Sequence, residues 1–232
     1  MRRLFITGIE KNPHKTFITA GLGATLQSLG HTTCVYKPVA NDMEIFQRID
    51  PRIKTFASYL IKTQKDPIVA EIEEGVAINF SQISGDYHDI YKQCEFTFVE
   101  GTNGLMTPLG RDFFEDDLVK SLNLPVLFVV SPGGKCSLQP SSANNSTEDA
   151  DNVIININHA VVSGIPVRGV ILNDCPEKTD MPRLIEEHTD AKILGMLPKI
   201  RPNIKPDELI STILTSVDIE GVLDMKIAKL EL

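Results

Sequence analysis

The stretch GIEKNPHKT, Gly8–Thr16, directly follows the apolar run Leu4–Phe5–Ile6, and the fold turns on how that junction is read. A short apolar run, a glycine and then a long helical pattern over Lys15–Leu29 predict a strand that turns tightly into a helix. The first backbone N–H groups of such a helix have no partner within it and face whatever lies beyond the strand. The helix dipole adds partial positive charge there, so a phosphate is welcome. Lys15 can reach terminal phosphates, and the Thr16 hydroxyl can bind Mg²⁺. His14 is the exception. A glycine before the lysine would let the backbone wrap closely, whereas histidine is less free there, although it tolerates positive φ better than most residues. The stretch therefore reads as a phosphate cradle, a remodelled one or an ordinary turn, and the rest of the chain must decide.

Six β-branched or aromatic runs recur along the chain: RLFITG, TTCVYKPV, FTFVEG, PVLFVVS, VRGVILND and KILGML. Each reads as a strand buried on both faces. Helical patterns separate them at Lys15–Leu29, Asp50–Lys62 (with Pro51 in its first turn), Ile83–Cys94, Glu148–Ser163, Pro182–Thr189 and Asp207–Thr215, with a further helix near the C-terminus. Right-handed crossovers then give an α/β fold: a single-domain, P-loop-type three-layer sandwich over residues 1–232, its mostly parallel sheet covered by helices on both faces. In such sheets the ligand crevice lies beyond the carboxyl ends of the strands. Those ends carry Gly8–Thr16, Lys37-Pro38, Glu100-Gly101, Ser131–Lys135, Asn173-Asp174 and Leu197-Pro198. The polar segment of about 137–152, from Ser137 to Asn152, reads as a surface insertion or as a lid on that rim.

Composition narrows the class. With 42% apolar and 23% charged residues, the chain is ordinary for a globular protein, and its 232 residues suffice for one sizeable domain. A net charge of −8 argues against a nucleic-acid partner, which would need a basic surface. Cys34, Cys94, Cys136 and Cys175 are scattered without C-x-x-C spacing. That spacing argues against zinc and against a disulfide framework, and for a reducing, cytoplasmic setting. The apolar run after Met1–Arg3 is far shorter than the roughly 7–15 residues of a signal segment or the ~20 of a membrane span.

Three more rim residues suit nucleotide chemistry. Lys37, before Pro38, reads as an ammonium aimed outward from a strand end, or as a solvated lysine. Glu100 closes an apolar strand ahead of Gly101, Asn103 and Gly104, the place of an acid that holds Mg²⁺. Asp42 reads equally as a helix cap or as a second metal carboxylate.

Taken together, these segments resemble the dethiobiotin synthase family, the ATP-dependent carboxylases of biotin synthesis. FITGIEKNPHKT resembles the family's TGTDTxVGKT, with the spacing from Gly8 to Lys15 preserved, and YKPVAN resembles its YKPVxSG. FVEGTNGLMTPL is close to its VEGAGGxxxPL, the most specific match. GVILND and ILGMLP follow in order, so the matches cover nearly the whole chain. The resemblance implies carboxylation of 7,8-diaminopelargonate with CO₂ or bicarbonate, through a carbamate that attacks the γ-phosphate of ATP, followed by ring closure to dethiobiotin. It implies a homodimer without nucleic-acid or membrane partners. It places catalysis on Lys37 and Lys15, and Mg²⁺ on Thr16, Asp42 and Glu100. The nucleotide is then held by Asn12, Pro13, His14, Lys15, Thr16 and Phe17, by Asp42, by Glu100, Gly101, Thr102 and Asn103, and by Asn173, Asp174, Leu197 and Pro198. The substrate falls to Lys11, Asn41 and Lys135.

The departures from the family pattern are concentrated. His14 replaces the loop glycine, and Lys11-Asn12 a Thr-Glu pair. GKCSLQP replaces the LGxINH helix start that receives the substrate carboxylate, leaving Lys135 as a positive charge. Lys205 falls near the place of a nucleotide-contacting acid. Two other readings follow: a repurposed member that binds ligand without turnover, and a ParA/MinD-like partitioning ATPase, whose glycine-rich KGGxGKT loop is absent. A Rossmann dehydrogenase is disfavoured, because Gly21–Gly23 falls inside a helix rather than after a strand.

Overall fold

The computed structural model describes residues 2–9, 14–63, 65–131, 146–175 and 179–227. The first half runs β1 (Arg3–Thr7), α1 (His14–Ser28), β2 (Thr33–Ala40), α2 (Glu44–Ile49), β3 (Lys54–Leu60), α3 (Pro67–Glu74), α4 (Phe80–Ile90) and β4 (Phe96–Glu100). The second runs α5 (Glu115–Leu122), β5 (Val126–Val130), α6 (Ser146–Val162), β6 (Val167–Asn173), α7 (Met181–His188), β7 (Ile193–Leu197), α8 (Pro206–Ser216) and α9 (Ile219–Leu223). The strands form one seven-stranded sheet in the order β3-β2-β4-β1-β5-β6-β7. Every strand pairing in it is parallel.

Alternation along the buried strands feeds two cores. Val126, Phe128 and Val130 of β5 enter the core beneath α4, α5, α6 and α7. Leu127 and Val129 enter the opposite one, beneath α1, α2, α8 and α9. The α/β sandwich read from the sequence is thus the fold observed. Gly21 and Gly23 do lie inside α1, where Gly21 serves packing: a Cβ there would stand 2.8 Å from Ile213 of α8. Among the described residues no helix is long and apolar enough to cross a membrane.

Four expectations are corrected. Asp50–Lys62 is not a helix. Pro51 sits in a turn fastened by Asp50, which takes the Arg52 backbone N–H at 2.9 Å and its guanidinium, and residues 54–60 then pair with β2 as an edge strand. Helix propensity yields here to an open sheet edge. Secondly, β2 does not stop at Pro38 but continues to Ala40. Its ladder to β4 ends at Tyr36↔Val99 while that to β3 continues, so the residue lacking an N–H falls where β2 has become unpaired on one side. Thirdly, residues 146–152 of the polar segment belong to α6, and the rest of it lies outside the described residues. Finally, Cys34 and Cys94 form a disulfide with a Cα separation of 5.8 Å. Sixty positions apart in sequence, they meet because Cys34 lies beside Thr97 in the β2–β4 ladder.

Closing a loop of that length restricts the unfolded chain, which corresponds to about 4 kcal/mol in the chain-entropy model. Cys94→Ala is expected to lower the unfolding free energy by up to that amount, measured by urea titration. Reductant should lower the wild type similarly and leave the variant unchanged.

Candidate active site

The strand order reverses direction around β1. The chain leaves β1 through α1 on one face for β2, returns to β4, and then crosses by α5 on the other face to β5. That switch point opens a crevice at the carboxyl ends of β1 and β4. A cleft of about 1000 Å³ occupies it, lined among others by Lys15, Thr16, Lys37, Asp42, Glu100 and Thr102.

Glu100 organises the cleft. It ends β4, is 1% exposed, and takes the Thr16 hydroxyl at 2.7 Å and the Lys37 ammonium at 3.0 Å, both on Oε1. Lys37 reaches it because β2 and β4 run in register one residue earlier, at Tyr36↔Val99. Burial pushes the Glu100 carboxyl up, but the Lys37 and Lys15 ammonium groups overrule it and hold the group below its ordinary value. Lys15 is 2% exposed and donates to the Thr102 carbonyl. Burial lowers its pKa, opposed by the charges of Glu100 and Glu115.

Glu115, the first residue of α5, was not singled out in the sequence. It is fully buried, and its Oε2 accepts from the Thr102 N–H at 3.0 Å and from the Thr102 hydroxyl at 2.9 Å. Burial pushes its carboxyl up to about 7, against the pull of Lys15 and Thr102. It stands fifteen positions beyond Glu100, in an acidic run that reads as a solvated helix start, so no sequence signal marks it. Arg48 of α2 was missed as well. Its guanidinium lies 5.7 Å from the Phe17 ring, donates to the Pro202 carbonyl at 2.8 Å, and lines the same cleft.

The residues named from the sequence fall into two groups. Lys15, Thr16, Phe17, Lys37, Asn41, Asp42 and Glu100 through Asn103 meet in the cleft. Asn173, Asp174, Leu197 and Pro198 do not line it; they end β6 and β7 beyond the other side of β1. The Asn173 amide donates to Ser131 at 3.2 Å, while its buried Oδ1 has no partner among the described residues. Asp174 pairs with Lys199 at 2.9 Å, and both charges act on His14, the first residue of α1. Burial lowers the His14 pKa, against the pull of the Asp174 charge. Asp42 is exposed at the edge of the cleft and accepts from the Glu44 N–H at 2.8 Å, just before α2. Lys11, Asn12, Pro13 and Lys135 lie outside the described residues.

Among the described residues no three His, Cys, Asp or Glu side chains form a ready metal cluster. The Thr16 hydroxyl and Glu100 carboxylate nevertheless fit Mg²⁺, which is held by one or two protein oxygens together with phosphates and water. The buried Glu100 Oε2, without a hydrogen-bond partner, is an acceptor left over for such a role.

A family model described as an AAA domain matches residues 2–206. The chain belongs to this AAA domain family. Curated relatives of the family member include the ATP-dependent dethiobiotin synthetase BioD of Bacillus subtilis (strain 168), 28% identical over 221 residues, covering 86% of this chain and 88% of the relative. The enzyme of the same name from Bacillus licheniformis is 25% identical and covers 97% of each chain. The resemblance to dethiobiotin synthetases read from the motifs is borne out. Among solved structures, the MinC:MinD cell division protein complex of Aquifex aeolicus matches with a TM-score of 0.58 at 14% identity, over 100% of this chain and 98% of the other. A ParA family ATPase from Chlorobium tepidum TLS matches at 0.57 and 12%, over 96% and 90%. At these identities the two structures establish a shared fold and nothing finer.

Because the folded pKa of Glu115, about 7, lies above its ordinary 4.5, the folded chain retains a proton that the unfolded chain releases between those values. Stability therefore declines as pH rises through that window, by on the order of 3 kcal/mol for this group. Glu115→Gln removes the titration. Its stability relative to wild type should rise between pH 5 and pH 8 in urea titrations; a constant difference would show that Glu115 does not titrate there.

Proposed function

We propose that the chain is an ATP- and Mg²⁺-dependent dethiobiotin synthetase, a cyclo-ligase acting on 7,8-diaminopelargonate and CO₂ as a single-domain, homodimeric, cytoplasmic enzyme. The observation that carries this reading is the convergence of Lys15, Lys37 and Thr16 around the buried Glu100 at the switch point. Two buried ammonium groups beside a carboxylate suit a reaction in which negative charge moves between a carbamate and a phosphoryl group. The full-length similarity to curated dethiobiotin synthetases supports the same substrates.

In this reading an amine of the substrate adds CO₂ and loses a proton to give a carbamate. A carbamate oxygen then attacks the γ-phosphorus of ATP and ADP leaves. The second amine attacks the carbonyl carbon of the mixed anhydride, closing the cyclic urea and releasing phosphate. Lys15 neutralises the terminal phosphates, and Lys37 the carbamate and the transferring phosphoryl group. Mg²⁺ bound by Thr16 and Glu100, with Asp42 beside them, would supply charge neutralisation at the β- and γ-oxygens. Asn41 faces the substrate from the cleft lining. Asn173 reads the base: with its amide nitrogen on Ser131, the unpartnered Oδ1 suits an amino-group donor such as that of adenine.

A second reading, binding without turnover, is favoured by His14. Its side chain occupies the first position of α1, where a glycine would let the backbone approach phosphate most closely. Phosphate release from ATP that depends on 7,8-diaminopelargonate and bicarbonate, with dethiobiotin detected by mass spectrometry, supports the enzyme. ATP binding without either product supports the second reading.

Lys37→Ala should lower kcat by about 10²–10³-fold while leaving ATP affinity nearly unchanged, as expected for a donor that acts on developing charge. Unchanged turnover would remove Lys37 from the chemistry. ATP should bind more tightly than GTP, whose carbonyl would face the Asn173 oxygen, by roughly 5- to 150-fold for one buried unsatisfied group. Asn173→Ala should narrow that ratio in titration calorimetry, and an unaltered ratio would place base recognition elsewhere.

A further inference from the structure

The phosphoryl chemistry uses Glu100 but gives no task to Glu115, although both carboxyls are buried beside Lys15. A carboxylate at the start of α5 is costly to bury, and an apolar side chain would fill the space without that cost. What Glu115 does is visible in its contacts. Its Oε2 takes both the N–H and the hydroxyl of Thr102. Gly101 must lack a side chain for this to happen, since a Cβ there would overlap the Glu115 carboxyl. The VEGAGG pattern quoted above has alanine in place of Thr102, a residue that could offer Glu115 only one of the two bonds.

Glu115 is itself rigidly placed. Its backbone N–H is tied to the Thr107 carbonyl at 2.9 Å, and the next N–H, of Asp116, to Leu105 at 2.9 Å. The loop that it grips is fastened at two further points. Asn103 donates to Asp66, before α3, at 2.6 Å, and the Gly104 N–H donates to the Thr107 hydroxyl at 3.0 Å. Gly104 in turn packs closely on the Gly8 carbonyl, where β1 turns toward α1. Between these ties the Thr102 carbonyl is left to accept from the Lys15 ammonium.

We propose that Glu115 is a positioning residue for Lys15: by clamping the N–H and hydroxyl of Thr102, it holds the Thr102 carbonyl where that oxygen seats the Lys15 ammonium for the terminal phosphates of a bound nucleotide. The inference rests on the ATP-dependent reading above. It assigns Glu115 no contact with nucleotide or substrate. Its effect travels through one backbone carbonyl and is confined to the phosphates that Lys15 reaches.

The test compares Glu115→Gln, which keeps an acceptor for both Thr102 bonds, with Glu115→Leu, which keeps only the bulk. Affinities for ATP and AMP are measured by calorimetry, and amide exchange at Thr102 is followed by NMR in the ligand-free protein. In Glu115→Leu, ATP affinity is expected to fall about tenfold, the scale of one charge-assisted hydrogen bond, with AMP affinity unchanged and Thr102 exchange accelerated. Glu115→Gln should restore ATP affinity to within about threefold of wild type, because both bonds to Thr102 persist. Unfolding titrations at pH 8 separate this from simple loss of structure: Glu115→Leu leaves both Thr102 donors unpaired and should be less stable than Glu115→Gln, yet both variants should keep a cooperative transition with a folded baseline, so that the affinities are those of folded protein. The proposal is overturned if Glu115→Leu binds ATP as wild type does, if ATP and AMP weaken together, or if Gln fails to restore the affinity. A wild-type chain that does not bind ATP refutes the functional reading itself and takes this role with it; failure of the positioning role alone is seen only in the variants.

Discussion

The ammonium groups of Lys15 and Lys37 are buried, and much of the rim follows from that constraint. An ion removed from water costs several kcal/mol unless charges and hydrogen bonds replace its hydration shell. Glu100 supplies the replacement for Lys37, at 3.0 Å, and its charge also supports Lys15. The Thr102 carbonyl supplies a second partner for Lys15, and Glu115 a second charge. Two cations and two carboxyls thus sit in a site that, in the function proposed above, also receives a polyanion. Glu115 accommodates this more readily than Glu100, because burial has already brought its proton affinity near neutrality, whereas two lysines hold Glu100 in the ionised form.

The sheet makes the arrangement rigid. β1 lies between β4 and β5, and the charged residues that meet in the cleft come from the first turn of α1, from β2 and the residues after it, and from the end of β4. The spacing of Lys37 and Glu100 is set by backbone ladders: Ile6 is level with Glu100, and Tyr36 with Val99. Groups fixed by a buried parallel sheet need little rearrangement as charge develops, and this preorganisation is what electrostatic catalysis requires. On the other side of β1, Asn173, Asp174, Lys199 and His14 form a second, less charged station. The cleft and this station flank the start of α1.

MinD and ParA ATPases share the fold of this chain at low sequence identity, while the relatives that match in sequence are dethiobiotin synthetases. The sheet is common property of the fold. Around the sheet this chain places Lys37 on β2, the Thr102–Glu115 clamp, and Arg48, whose guanidinium lies 5.7 Å from the Phe17 ring and donates to the Pro202 carbonyl.

The sequence by itself determined the sheet and most of the site. Buried parallel strands must be apolar on both faces, so β1, β2, β4, β5, β6 and β7 stand out as short β-branched or aromatic runs, and the polar residues that end them mark the rim. Lys15, Thr16, Lys37 and Glu100 were therefore legible as a group before any distance was known. Whatever depended on contact between distant segments was not. Residues 54–60 carry no strong strand signal and are a strand because β2 offers them an open edge. Cys34 and Cys94 are bonded because β2 and β4 are neighbours. Asp42 reads equally as cap or metal ligand in the sequence, and the fold places it both in the cleft lining and against the Glu44 N–H. Glu115 sits in the acidic run EDD, which looks like a solvated helix start. Only the packing of α5 against the β4 loop buries its first carboxylate and turns it toward Thr102, since burial and hydrogen-bond partners belong to the folded chain and have no period in the sequence.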